Sequence, residues 1–108
     1  MNELQVFNFN NKQVRVEERN NETWFCLKDV CSILDIKNHK DVVSRLKKDG
    51  VDTTDLIDRL GRTQQVTIIN ESNLYKVIFQ SRKEEAEEFT EYVTGTILDV
   101  YKRQLINH

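Results

Sequence analysis

Residues 24–34 read WFCLKDVCSIL, and the hydrophobic period changes within this stretch. The run at residues 23–26 is short and rich in β-forming side chains, which is typical of a strand. From Leu27 onward apolar residues recur at helical spacing, and Asp29 falls in the first turn, where a carboxylate favours the helix amino end. The stretch therefore predicts a strand that passes directly into a helix over residues 27–34.

Two further strands precede this junction. Apolar residues alternate with polar ones over residues 5–18, and a polar break at residues 10–12 divides the run. This pattern predicts a β-hairpin. A second polar turn at residues 19–22 then leads into the strand at residues 23–26, so the chain begins with three consecutive strands.

A capping signal predicts a second helix soon after the first. Asn38 stands three residues before Asp41, which resembles a capping box, and the helix is expected to end before Gly50. The expected buried stripe of this helix consists of Val42, Val43 and Leu46.

The second half of the chain predicts a hairpin and two more helices. Apolar runs at residues 56–57 and 66–69 flank a break around Gly61, which favours a hairpin. Asn70 caps the following helix, and a capping box that begins at Ser81 starts the last one. The predicted fold class is α+β, with a small antiparallel sheet of two hairpins plus a short strand, packed with about four helices.

Composition and charge exclude several classes of protein. The chain has 108 residues, of which 38% are hydrophobic and 31% charged, with no proline and a formal net charge of −2. This length predicts a single domain, and the hydrophobic content is too high for a disordered tail. No secretory signal and no membrane-spanning run is visible, so we expect a cytoplasmic protein with no membrane partner. Because the bulk charge does not indicate nucleic-acid binding, that function requires a local basic patch.

The sequence patterns that accompany catalysis or metal binding do not occur. Cys26 and Cys31 are five residues apart, which is poor spacing for a zinc pair, and we expect them to be buried, reduced thiols. The histidines His39 and His108 form no metal-binding pair, and the three glycines form no phosphate-binding loop. We therefore expect no catalytic residue, no metal and no cofactor.

Three patterns follow one another along the chain. Residues 24–25, residues 28–30 and Leu34 match the order "WF, two residues, KDV, three residues, L"; residues 66–75 are similar to "VINESGLY"; and residues 81–98 resemble "S(K/R)KPEAKxFKxWV". Together these segments resemble the amino-terminal domain of the Bro family, Bro-N, of phage and prophage antirepressors and large DNA viruses. The resemblance implies a phage or prophage DNA-binding or antirepressor-type transcription regulator without catalysis.

The resemblance extends over residues 1–98, whereas the tail at residues 99–108 departs from the family pattern, so we assign the tail no function. Longer antirepressors of this type carry a second, carboxy-terminal domain, and from a length of 108 residues we expect the Bro-N-like domain alone. The family has glycine where Asn73 stands. We expect this change to be mild, because asparagine tolerates unusual backbone angles.

A basic segment follows the first predicted helix. Residues 36–48 carry five basic residues and one acidic residue, a local charge of +4. On one continuous helix, Lys40, Ser44 and Lys47 recur at i, i+4 and i+7, opposite the apolar stripe, and the first two helices have the outline of a helix-turn-helix. Lys28, in the KDV motif, fits either a pair with a carboxylate or a ligand contact.

Double-stranded DNA is the partner that this segment suggests, although a merely solvated helix face has the same appearance. Lysines would contact phosphates, while a serine and an arginine on the second helix would read base edges. Two further arginines at the tip of the second hairpin would extend the patch. The candidate DNA-binding residues are Lys37, Lys40, Ser44, Arg45, Lys47, Lys48, Arg59 and Arg62.

The last predicted helix is strongly acidic, with five glutamates within eight residues. This face repels a duplex. It either docks a basic protein, such as a phage repressor or a host nucleoprotein, or simply complements the helix amino end. The alternative function is therefore a phage-encoded protein-binding inhibitor, and a homodimer is compatible with either function. The candidate partner-binding residues are Glu84, Glu85, Glu87, Glu88 and Glu91.

Overall fold

The computed structural model describes residues 4–81 and 84–100 of the chain. Within these residues, five strands form one antiparallel sheet in the order β1-β2-β3-β5-β4, and four helices pack with it, so the predicted α+β class is confirmed. The strands are β1 (Leu4–Phe9), β2 (Lys12–Arg19), β3 (Glu22–Cys26), β4 (Val51–Ile57) and β5 (Thr63–Asn70). The helices are α1 (Leu27–Ile33), α2 (His39–Ser44), α3 (Glu71–Gln80) and α4 (Glu85–Tyr92).

Two asparagine pairs make the turns that join β1 to β2 and β2 to β3. Asn10 and Asn11 have φ angles of 50° and 66°, and Asn20 and Asn21 have φ angles of 49° and 66°. Positive φ at both central residues is the requirement of a type I′ turn, whose twist matches that of the flanking strands, and asparagine accepts it better than most residues. The predicted first hairpin and third strand are therefore confirmed.

One buried carboxylate holds the junction between β3 and α1. The Asp29 side chain, 6% exposed, accepts hydrogen bonds from the backbone N–H of Arg15 at 2.9 Å and from its Nε and Nη2 at 2.9 and 3.0 Å. The last pair of the β2–β3 ladder is Val16 with Phe25, so Arg15 lies just beyond it, and Asp29 satisfies its N–H in place of a strand carbonyl. The hydrogen bond to Asp29 also raises the pKa of the Arg15 guanidinium.

The sheet has an apolar cluster on each face. The larger cluster joins the strands to the helices through fully buried side chains such as Phe25, Ile69 and Phe89. The smaller cluster contains Trp24, Cys26, Val66 and Ile68. Trp24 and Phe25 are 7% and 0% exposed, which confirms that they are core residues.

Side-chain contacts draw β2 and β4 together although two strands separate them in the sheet. Arg19 Nη1 donates to Asp52 Oδ2 at 2.7 Å, and Thr54 Oγ1 donates to Glu17 Oε1 at 2.8 Å. Three strand spacings of about 4.8 Å could not be bridged in this way on a flat sheet, so the sheet curls strongly. Because Glu17 lies opposite Trp24 in the ladder, the curl closes over the smaller apolar cluster.

The second helix is shorter than predicted, because α2 ends at Ser44 and not just before Gly50. Two hydrogen bonds from the Asn73 side chain hold Lys47, which lies three residues after Ser44. Asn73 Oδ1 accepts from the backbone N–H of Lys47 at 3.2 Å, and Asn73 Nδ2 donates to the Lys47 carbonyl at 2.9 Å. Lys47 is thereby held in an extended conformation, and Leu46 is buried. These tertiary contacts end the helix, although its local sequence favours continuation.

Asparagine side chains cap two helices as predicted. Asn38 Oδ1 accepts from the N–H of Asp41 at 3.2 Å, and Asn70 Oδ1 accepts from the N–H of Asn73 at 3.0 Å. Asn73 is itself buried and lies within α3, so the expectation that it accommodates unusual backbone angles is wrong. Gly50 packs so closely here that an added Cβ would lie 2.5 Å from Asn70 Oδ1.

The last helix packs against the edge strand β1. α4 begins at Glu85, and a π-helical turn (Val93–Ile97) continues it. The Phe9 ring lies 5.3 Å from the rings of Phe89 and Tyr92, centroid to centroid. No helix within the described ranges is long and apolar enough to cross a membrane. Most of the predicted tail, residues 101–108, lies outside the described residues.

Candidate nucleic-acid interface

Five exposed lysines surround α2 and the amino end of α1. Lys28 lies on α1 and Lys40 on α2, Lys37 precedes α2, and Lys47 and Lys48 follow it. None of the five forms an ion pair with any residue in the ranges that the structure describes. Their positive charges are therefore available to attract an anionic partner.

These lysines do not form the single helical stripe that the spacing predicted. Lys40 and Ser44 lie on α2, whereas Lys47 follows the end of that helix, for the reason given above. With six residues, α2 is only about 9 Å long, so it offers less than two turns to a groove of DNA. The Ser44 hydroxyl already donates to the Asp41 carbonyl at 2.7 Å, which leaves it free only as an acceptor.

Two of the three candidate arginines already have carboxylate partners. Arg45 Nη2 lies 3.0 Å from Asp41 Oδ2, and Arg62 Nε lies 3.0 Å from Asp58 Oδ2. Asp58 also accepts backbone hydrogen bonds within the hairpin turn, and the one from the Arg62 N–H contributes most to lowering the pKa of its carboxyl group. Arg59 is exposed and makes no ion pair with another described residue.

A groove of about 430 Å³ lies between the helical segment and β5. One wall carries basic side chains from α1 and α2, the other wall carries polar side chains from β5, and apolar side chains complete the lining. We name it the Lys28–Gln64 groove. It is lined by Lys28, His39 and Lys40, by Gln64, Gln65 and Thr67, and by Leu27, Val43 and Val66.

Sequence reasoning missed the β5 wall of this groove. Gln64, Gln65 and Thr67 lie at least twenty residues from α2 in the chain, and only the folded sheet brings them beside Lys40. A polar run in a strand was the available signal, but such a run is equally typical of a solvated strand. Gln64 lies two residues from Arg62, roughly 7 Å along the chain, so the hairpin tip is close to this end of the groove.

A second groove, of about 320 Å³, lies beside α2 as well. It includes Val43 and Ser44 of α2, together with Leu46, Lys48 and Val51 from the segment that leads into β4. Val43 lines both grooves, so α2 is bordered by concave surfaces and forms a ridge. The ridge carries one lysine, Lys40, and Lys37, Lys47 and Lys48 flank it in the chain, a basic shape that fits a groove of nucleic acid.

The glutamates of the last helix occupy one exposed face of α4. The four with described side chains recur at i, i+3, i+4 and i+7, and none forms an ion pair with a described residue. α4 packs against β1, whereas the Lys28–Gln64 groove borders β5, and two strands separate these in the sheet. The acidic and basic surfaces are therefore distinct. The acidic face consists of Glu84, Glu87, Glu88 and Glu91; the side chain of Glu85 lies outside the described residues.

The side chains of this surface offer charges and hydrogen-bonding groups to a partner. No group of three or more His, Cys, Asp and Glu side chains that could hold a metal ion occurs within residues 4–81 and 84–100. Cys26 and Cys31 are buried and free, as predicted. Burial raises the pKa of both thiols, that of Cys31 to about 11. The fold and this surface together define a small α+β module with a basic groove and a separate acidic helix.

The chain belongs to the BRO family: the BRO family N-terminal domain, Bro-N, matches residues 13–99. The resemblance seen in the sequence is thereby confirmed. This family is of a DNA-binding type and is not a known catalytic family. The domain boundary at residue 98 stays a prediction.

One relative is a Haemophilus influenzae protein of uncharacterised function. It is 39% identical over 97 residues, which cover 89% of this chain and 48% of the relative. The chain thus spans about half the length of that protein. The comparison with solved structures finds no match.

Proposed function

We propose that this chain is a phage or prophage transcription regulator that contacts double-stranded DNA in the host cytoplasm and carries out no catalysis. The observation that supports the proposal is the set of five exposed lysines without ion pairs to described residues around α2. Membership in Bro-N, a family of DNA-binding type, supports it as well. The antirepressor role and the phage origin belong to the same proposal.

In the proposed complex, the lysines contact phosphates and the α2 ridge contacts base edges. Lys37, Lys40, Lys47 and Lys48 supply phosphate contacts, and Arg59 extends them toward the hairpin tip. Arg45 and Arg62 can contact DNA only if each gives up its ion pair with a carboxylate of this chain. The Arg45 and Arg62 side chains are 60% and 72% exposed, and ion pairs at the surface contribute little to stability, so that exchange costs little free energy.

The test is the salt dependence of duplex binding. Each phosphate contact contributes about −0.9 to the slope of log K against log salt concentration, so removing three contacts should reduce the slope by about 2.7. The variant combines Lys40→Ala, Lys47→Ala and Lys48→Ala. Lys76→Ala, on α3 and away from this surface, serves as a control and should leave the slope unchanged. Equal affinity and slope for the triple variant and the parent would show that the DNA surface is elsewhere.

A second candidate function, a protein-binding inhibitor, is favoured by the acidic face of α4. Four exposed glutamates without ion pairs to described residues resemble a row of phosphates in charge. Phe79, at 91% exposure, lies near the end of the preceding helix and is an exposed apolar side chain. The partner would be basic, such as a phage repressor or a host nucleoprotein.

Competition separates the two functions. An inhibitor releases a basic nucleoprotein from labelled duplex DNA, and Glu88→Lys combined with Glu91→Lys should abolish the release. If the reversed variant released the nucleoprotein as well as the parent, the acidic face would not be the docking surface. Sedimentation of the free chain and of its duplex complex tests the homodimer.

A further inference from the structure

The Lys28–Gln64 groove is too small for the duplex of the proposed function. A cube of 430 Å³ has an edge of about 7.5 Å, which is less than the roughly 12 Å width of one major groove, so the space holds a single phosphate, sugar or base and not the body of a duplex. The volume falls instead within the range of roughly 300–1,000 Å³ that is typical of small-molecule sites. Whatever fills this groove is the size of one nucleotide unit and not of a helix.

The polar side chains that line the groove have no partners of their own. Lys28 and Lys40 make no ion pair with a described residue, and the side chains of Gln64, Gln65 and Thr67 make no hydrogen bond with one. By contrast, four arginines of this chain form ion pairs with carboxylates. The groove therefore gathers donors and acceptors that are free to bind a ligand.

The chemistry of these groups specifies the ligand. An ammonium group donates three hydrogen bonds and accepts none, so Lys28 and Lys40 require an anionic acceptor such as a phosphate. A glutamine amide both donates and accepts, and paired with a nucleobase it reads the edge of the ring. Val43, which is half-buried, offers an apolar contact to a flat, weakly polar ring.

We propose that the Lys28–Gln64 groove binds one nucleotide unit, with Lys28 and Lys40 on the phosphate and with Gln65 and Thr67, which share one face of β5, on the base edge. The unit has the same chemistry whether it is a free nucleoside monophosphate or one residue of a single strand. This site goes beyond the duplex surface, because three of these four residues lie outside the proposed duplex contacts. It also predicts that a nucleotide and a duplex compete for this surface, because Lys40 belongs to both sites.

Calorimetric titration of the complete chain with three probes tests the proposal. The probes are the four free deoxynucleoside 5′-monophosphates, single-stranded tetranucleotides, and deoxyribose 5-phosphate, which lacks a base. Lys28→Ala combined with Lys40→Ala should weaken binding of every bound probe at least tenfold. Gln65→Ala combined with Thr67→Ala should weaken binding of the nucleotides while leaving binding of deoxyribose 5-phosphate unchanged.

Matched control variants remove the same groups outside the groove. Lys76→Ala on α3 and Gln13→Ala on β2 should bind every probe as the parent does. Lys28, Lys40 and Gln65 are exposed and Thr67 is half-buried, so the variants should stay folded, which circular dichroism checks.

Each outcome of the titration decides the proposal. Lysine-dependent binding of monophosphates supports a free nucleotide as the ligand, and lysine-dependent binding of tetranucleotides alone supports a single strand. The proposal is overturned if no probe binds, or if the double lysine variant binds like Lys76→Ala. A parent that binds duplex DNA but none of these probes would retain the proposed function and lose this site.

Discussion

Removing the Asp29 carboxylate should be among the most destabilising single changes in this domain. Asp29→Ala breaks three hydrogen bonds with Arg15, one of them to its backbone N–H. Removing one partner of a buried ion pair costs about 3–5 kcal/mol. The Arg15 side chain is 17% exposed, so the freed guanidinium regains part of its hydration. We therefore expect a loss of about 3 kcal/mol from the free energy of unfolding, near the lower end of that range.

Urea unfolding followed by circular dichroism measures this loss. At roughly 4–8 °C per kcal/mol for a domain of about this size, the melting temperature should fall by roughly 10–25 °C. Asp55→Ala is the matched control, because Asp55 is an exposed carboxylate on β4 that forms no ion pair with a described residue. The control should change the free energy of unfolding by no more than about 0.5 kcal/mol.

Equal unfolding midpoints for Asp29→Ala and Asp55→Ala would refute the reasoning. That result would mean that the strand-to-helix junction is held by apolar packing alone. Asp29→Asn adds a second check, because the amide keeps one acceptor oxygen but loses the charge, so its loss should be smaller than that of Asp29→Ala. A larger loss for the asparagine variant would equally contradict the assignment.

Three further changes test other parts of the structure. Asn73→Ala removes two hydrogen bonds, so it should lower the free energy of unfolding by about 1–3 kcal/mol and speed hydrogen exchange at the Lys47 amide. An unchanged exchange rate would show that Asn73 does not hold that segment. Burial and the hydrogen bond to Glu71 raise the pKa of Tyr75 from its ordinary 10 to about 12, so its neutral form is favoured in the folded state. The contribution of this shift to folding stability is fully present below pH 10 and is lost as the pH rises toward about 12. Glu71→Gln should lower the pKa that an ultraviolet titration of Tyr75 measures. Burial and the raised pKa of Cys31, about 11, predict slow alkylation of the native protein at pH 8 and fast alkylation in denaturant; equal rates would contradict the buried thiol.

Local signals predicted most of the secondary structure. The asparagine turns and the helix caps at Asn38 and Asn70 depend on residues within a few positions of one another, so the sequence contains the information that forms them. The change of period at Leu27 marks the β3–α1 junction for the same reason.

The candidate site was harder to predict, because its composition depends on long-range packing. Helical spacing suggested a stripe that ran through Lys47, but a side chain 26 residues away, Asn73, ends the regular segment first. The pair between Arg45 and Asp41 was open to prediction from its i, i+4 spacing. The neighbourhood of Lys28 and Gln64 was not, because no periodicity relates α1 to β5.

The sequence by itself determined the α+β class, the order of its elements and the concentration of positive charge at residues 36–48. These depend on period, turn residues and caps, which act over a few residues. Only the tertiary structure decided where α2 ends, how far the sheet curls, and that two lysines share a groove with two glutamines. Such contacts join residues far apart in the chain, because they form only when the buried apolar faces of the strands and helices meet.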